Sequence, residues 1–324
     1  MKPALSVILL TTLIGAGQGL FLAWYSAEWL TLLKLLGPAA PVGGALAAVL
    51  SFVLLGAGLL ASFFHLGHPE RAWRAAAMWR SSWLSREVIA LPAAMALIGA
   101  CAVIRLGGLD GEIAVLGNGI PLMLSTLVGL GAAAAVCILF ICTAMIYACL
   151  KFLRQWHSPL TVLNFFLLGS ASGATLAAAL AALIADPRFG YFAGLAMLLT
   201  FCALLSRGAS LARNRRLRGA STLQSAIGVH HPKIRQLAQG AMGGSFNTRA
   251  FVHSYGASVV RLARRGFLFF AFLLPLGLLT VAAESAPLLC AAAFVLQLAG
   301  MMVERWYFFI EAEHPQNVYY QVIS

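Results

Sequence analysis

Charge is what this sequence has least of. Only 10% of its 324 residues are Asp, Glu, Lys or Arg, against about a quarter in ordinary soluble domains. Hydrophobic residues make up 61% and the mean hydropathy is +0.89. A water-soluble core of this length could not hide so much apolar surface, so lipid is the expected solvent. Acid is scarcer than base: ten Asp and Glu stand against 22 Lys and Arg, a formal charge of +12. In a soluble protein such a balance would suggest nucleic acid. No aromatic-interleaved basic domain is present, however, and basic loops beside apolar runs set topology or meet anionic lipid and partner proteins. No nucleic-acid partner is expected.

Other absences narrow the chemistry. The six cysteines (Cys101, Cys137, Cys142, Cys149, Cys202 and Cys290) form no CxxC pair and lie in or beside apolar runs. They read as small buried hydrophobes, and no metal is expected in this chain, since zinc and iron–sulfur sites need clustered thiolates. None of the seven histidines falls in the middle of an apolar run. A membrane haem needs axial ligands on facing helices inside the bilayer, so no haem is expected either. There is no GxxxxGK[ST] phosphate loop and no twin-arginine leader. The first apolar run continues through Trp24 to Leu33, too long for a signal peptide, and reads as an uncleaved first span.

What is present is a series of apolar runs of the length that crosses a bilayer. They lie at roughly 4–33, 42–64, 88–105, 120–150, 160–185, 190–205, 267–284 and 286–303. The expected fold is all-α: a polytopic integral membrane protein, a bundle of eight transmembrane helices. It forms a single anchor domain over 1–324 with a basic extramembrane loop at 206–266. That loop holds eleven Arg or Lys, from Arg207 to Arg265, and no acid. Eight spans put both termini and the basic connections on one face, which carries eighteen Lys and Arg; the other carries Lys34, Arg105 and Arg188. The positive-inside rule places the richer face in the cytoplasm.

The polar chemistry gathers in HLGHPERAWRAAAMWRSSWLSREV, residues 65–88. Pro69 suits a first helical turn and Glu70 a positive helix start. Arg71, Arg74 and Met78 fall on one face, which predicts a short interfacial helix with tryptophans at headgroup depth. Ser82 or Ser85 can cap the next span. The segment reads either as topology glue or as a site. In the second reading His65 and Glu87, at the ends of spans two and three, share one membrane face. An imidazole can take a hydroxyl proton and a carboxylate can carry it away, as quinol oxidation requires, while the arginines hold an ionised Glu87 or polarise a quinone carbonyl.

Elsewhere, Gly15 and Gly19 in GAGQGL form a GxxxG face, and GSASG at 169–173 repeats the small-residue theme, inviting close helix approach. Gln18 is an amide at membrane depth, for either an interhelical hydrogen bond or a ligand. Ser158 and Pro159 mark the start of span five, with His157 beside it as a belt residue or a proton-release group. Glu304 and Arg305, next to Trp306, Tyr307, Phe308 and Phe309, read as an anchored helix end or a docking edge. A transporter, which would place ionisable groups near the midplane, or a purely structural anchor is the competing reading.

Four of these stretches, GAGQG, HLGHPERAWRA with SWLSREV, WHSPL and ERWYFFIEA, resemble the membrane anchor subunits of dimethyl sulfoxide reductase, the DmsC family. The resemblance runs over nearly the whole chain; His68 and the long basic loop depart from it. It implies a haem-free eight-helix anchor in the bacterial inner membrane. Such an anchor holds a molybdopterin catalytic subunit and an iron–sulfur electron-transfer subunit, and it oxidises menaquinol in anaerobic respiration. By position it matches His65 to the family's histidine at the quinol site, with Glu87 following in the same SRE block; these two are the expected catalytic residues, and the residue types add Arg71, Arg86 and Gln18 as candidate companions in quinol binding. It also implies termini outside the cytoplasm, against the charge count.

Overall fold

The computed structural model describes residues 4–116, 120–217, 222–234, 255–282 and 286–315. Lys2, Arg218, Arg235, Arg249, His253, the Gly-rich stretch 239–251 and the turn at Glu284 and Ser285 lie outside them.

Among the described residues eight helices are long and apolar enough to cross a membrane, as the apolar runs predict. In chain order they are α1 (Leu5–Leu32), α2 (Gly43–Phe63), α3 (Trp83–Leu106), α4 (Leu124–Ala148), α5 (Pro159–Leu183) and α6 (Phe189–Arg215). A five-residue helix, α7 (Leu223–Ile227), follows, and then the last two spans, α8 (Ala257–Val281) and α9 (Pro287–Glu311). The predicted interfacial helix exists as a 3-10 helix, Pro69–Met78, with Pro69 in its first turn and no buried residue. Ser82 caps α3 by accepting the Ser85 amide at 3.4 Å, and Ser158 caps α5 by accepting the Leu160 amide at 3.2 Å. The connection before α4 and the first residues of the apolar run expected at 120–150 form an antiparallel pair of strands, β1 (Glu112–Leu116) with β2 (Ile120–Met123), so the span itself begins at Leu124.

The helices outrun the hydropathy at their basic ends. α6 continues to Arg215 and α8 begins at Ala257, so helix occupies both ends of the segment expected to be loop over 206–266. α3 begins at Trp83 and α9 runs to Glu311. Glu87, Arg207, Glu304 and Arg305 therefore all sit inside spans. Hydropathy windows end a run at its first charges; a helix continues while those charges find partners.

α1 and α5 are the most buried helices of the bundle. Lipid tails are as apolar as leucine, so helix association in a membrane rests on close packing and interhelical hydrogen bonds. The two small-residue motifs supply the packing by meeting each other. Gly15 lies against Gly169, and Gly19 and Leu20 lie so close to the 169–173 segment that a β-carbon on Gly173 would collide with their backbone.

A second close approach joins α8 to α9. Pro275 has no N–H to return to the carbonyl of Ala271, four residues back, and the turn Phe269–Leu273 widens to a π-helix. Gln297 of α9 donates to that Ala271 carbonyl at 3.2 Å and to Thr200 Oγ at 3.0 Å. Gly300 leaves room for the Ala271 backbone. In lipid no water would satisfy the freed carbonyl, so a neighbouring helix does.

Candidate functional site at the face of the termini

The spans alternate in direction. The start of α1, the end of α2, the 3-10 helix, the start of α3, the end of α4, the start of α5, the end of α6 and the end of α9 therefore share one face. The opposite face is closed by ion pairs. Arg188 holds Asp186 at 2.9 Å with both side chains fully buried. Arg105 forks onto Glu28, while Asp110 accepts from the Ser125 amide and hydroxyl at 2.8 and 2.6 Å. Arg105 and Arg188, counted as topology charges, are structural ties.

Of the residues predicted to form the site, Glu87 and Gln18 are buried at 8% and 2% exposure. Glu87 lies one turn into α3, and its carboxylate accepts a hydrogen bond from Thr143 of α4 at 2.5 Å. Gln18 donates to the carbonyl of Val136 at 3.4 Å. His65 lies exposed just past α2. What desolvation it has lowers its imidazole pKa below the ordinary histidine value, so the ring is neutral and can accept a proton at neutral pH. Arg71 is exposed and 3.7 Å from Glu70, which also meets His68 at 3.0 Å.

The expectation that arginines hold Glu87 needs correction. Arg86 donates instead to the carbonyls of Trp79 and Arg80 at 2.9 and 2.8 Å and lies over the Trp83 ring, which fastens the 65–82 segment to α3. Among the described residues no salt bridge reaches Glu87.

The charges that do gather inside the bundle are ones the sequence placed at its edges. Arg207 of α6 pairs with Glu304 of α9 at 2.7 Å and reaches Glu311 at 3.4 Å. Arg305 lies 3.4 Å from the other oxygen of Glu304 and 3.9 Å from the centre of the Phe165 ring. Two bases and two acids balance. Arg207, Glu304 and Arg305 are all at most 5% exposed, so neither the loop position expected for Arg207 nor a docking edge at Glu304 and Arg305 is found. Tyr307, Phe308 and Phe309, expected at the membrane interface, are buried too. Phe308 stacks on Trp156, whose indole donates to the Phe308 carbonyl at 3.0 Å. The charge pair directly before the aromatic run was the available signal, since an interfacial belt has no use for two adjacent opposite charges.

Two small cavities with polar groups in their walls flank Arg305. The first, about 20 Å³, is lined by Gln18, Thr143, Thr11, Thr12, Ser172 and Arg305 among others. The second, about 10 Å³, is lined by Asn164, Ser210, Glu304, Arg305, Asn214 and Gln155 among others. Each has the room of a single water. A larger space, an open apolar groove of about 740 Å³, runs between the end of α4 and the start of α5, with exposed His157 among its lining residues. His157 Nδ1 meets the carbonyl of Ala148 at 2.7 Å. A carbonyl only accepts, so Nδ1 carries the proton and Nε2 of the neutral ring is an acceptor.

A bundle of eight candidate membrane-spanning helices defines the class: a multi-pass integral membrane subunit. The sequence pattern of the DMSO reductase anchor subunit (DmsC) matches residues 2–320, and the chain belongs to that family. It is a membrane anchor subunit of an oxidoreductase complex of the molybdopterin class, and it associates with catalytic and electron-transfer subunits. The C subunit of a sulfite dehydrogenase from Allochromatium vinosum is 48% identical over 328 residues, covering 100% of each chain.

Proposed function

We propose that this anchor exchanges electrons between a membrane quinone and an iron–sulfur partner subunit, at the face that carries the termini, in the bacterial inner membrane. The observation that carries the reading is Glu87. It is a carboxyl buried inside a membrane span whose hydrogen-bond partner among the described residues is a hydroxyl and not a cation. An ionisable group kept in a span without a counter-ion is costly and is retained for function. Quinone chemistry needs such a group, because two protons accompany each electron pair. His65, neutral and exposed at the same face, is suited to pass a proton to or from water. The cavity beside Thr143 has room for one water and not for a ring, so the quinone head approaches from the lipid side, where the α4–α5 groove has the space.

The dimethyl sulfoxide reductase anchors imply electron flow from menaquinol to the partner. The relative's name favours the opposite direction here. A sulfite dehydrogenase withdraws two electrons from sulfite, and an anchor in that complex would deliver them to quinone. We adopt that direction, with sulfite as the substrate of the complex.

The test uses the purified complex. Glu87→Gln and His65→Ala are expected to lower sulfite-dependent quinone reduction at least tenfold, while sulfite oxidation by a soluble dye that bypasses the membrane stays normal. Unchanged quinone reduction in both variants would remove the site. Recovery of the partner subunits with the tagged anchor is the check that the complex has assembled.

A further inference from the structure

We propose that the two cavities around Arg305 form a proton path joining Glu87 to water at Gln155 and Asn214. The proposal rests on the quinone reading above and adds the route by which the buried carboxyl exchanges its proton. Four observations carry it. Thr143, the hydrogen-bond partner of Glu87 at 2.5 Å, also lines the first cavity. A hydroxyl donates and accepts at once, so it gives its proton to the carboxylate and takes another from a water behind it. Arg305 and Phe165 line both cavities and so adjoin them. In the second cavity the side-chain oxygen of Asn164, a residue only 6% exposed, has no hydrogen-bond partner among the described residues, although its amide donates to Ser210 at 2.7 Å. A buried unpaired acceptor facing a polar space of water size marks a water position. Finally, Gln155 and Asn214, which line the same cavity, are only half-buried.

Arg305 has donors and no acceptor. It orients waters on either side by their oxygens, and the proton passes it from water to water. Glu304 and Glu311 balance its charge and that of Arg207, so the path carries no net charge that would expel a proton. The stoichiometry closes. Each quinone takes two electrons from the iron–sulfur partner and two protons from the protein. Glu87 supplies one of these and regains it from water through Thr143. The exposed His65 supplies the other.

Thr143→Val removes the hydroxyl while keeping the shape, and Asn164→Leu fills the second cavity. Both are expected to slow quinone reduction at least fivefold and to raise its solvent deuterium isotope effect, with KM for a quinone analogue and dye activity unchanged. Thr143→Ser restores the rate. Full rates and an unchanged isotope effect in Thr143→Val and Asn164→Leu, with Glu87→Gln inactive, would overturn the path and leave the quinone site standing. Full rates in all three would remove the site itself. A raised KM without an isotope effect would show Thr143 to act in binding, and would overturn the path as well.

Discussion

Asp186 and Arg188 show what a buried charge does when it is only structural. The two lie in the α5–α6 turn, fully buried and 2.9 Å apart. Asp186 also accepts the backbone amides of Arg188 at 2.9 Å and Ala40 at 3.1 Å. Burial alone would raise the Asp186 pKa, but the hydrogen bonds and charge of Arg188 outweigh it and hold the carboxyl below its ordinary value. A depressed folded-state pKa stabilises at neutral pH, and the contribution is lost as pH falls through that lowered value. Asp186→Asn leaves Arg188 buried and unpaired and is expected to cost about 3–5 kcal/mol. Thermal melting in detergent at neutral pH would show it, with the gap between wild type and variant closing on acidification. Glu87 is the contrast: equally hidden, but bonded to one hydroxyl. That difference in partners separates a tie from a site, and no count of charges along the chain reveals it.

At the scale of elements, two helix pairs are decided by glycine. The α1–α5 contact has no space for a side chain at residue 173, so Gly173→Val forces the central helices apart. The expected loss is on the order of 1–3 kcal/mol, seen as a lower melting temperature and weaker recovery of the assembled complex. At α8–α9, Gln297→Leu would leave the Ala271 carbonyl, freed by Pro275, without its donor. The expected cost is about 1–3 kcal/mol, read from the same melting curves. The sequence showed Gly15, Gly19 and the 169–173 segment as separate small-residue motifs. That they are two halves of one contact is a matter of which helices are neighbours, and neighbours are set by the packing of the whole bundle.

For the whole molecule, the arrangement is polar at one face and tied shut at the other. Cys149 lies just beyond α4 at the face of the termini and is exposed, whereas Cys101, Cys142 and Cys290 are buried. In sealed vesicles a membrane-impermeant maleimide should therefore label Cys149 from the same side that exposes a C-terminal tag. Labelling from the opposite side would break the span count. The same experiment in oriented vesicles decides between the cytoplasmic placement from charge and the external placement implied by the family.

The number of spans, their order and the family membership were settled by the sequence alone. A bilayer demands about 20 apolar residues in a row, and that demand is written in one dimension. Glu87, Gln18 and the 65–88 segment were visible for the same reason, as polar residues where few are tolerated. Their company was not visible. Thr143 is an ordinary hydroxyl in an apolar run, Arg207 stood among ten other bases, and Glu304 looked like the end of a helix. Tertiary structure joined Arg207 to Glu304 and Glu87 to Thr143, because inside lipid a charge or hydroxyl takes the nearest polar partner that packing brings to it. That partner belongs to another helix, far along the chain.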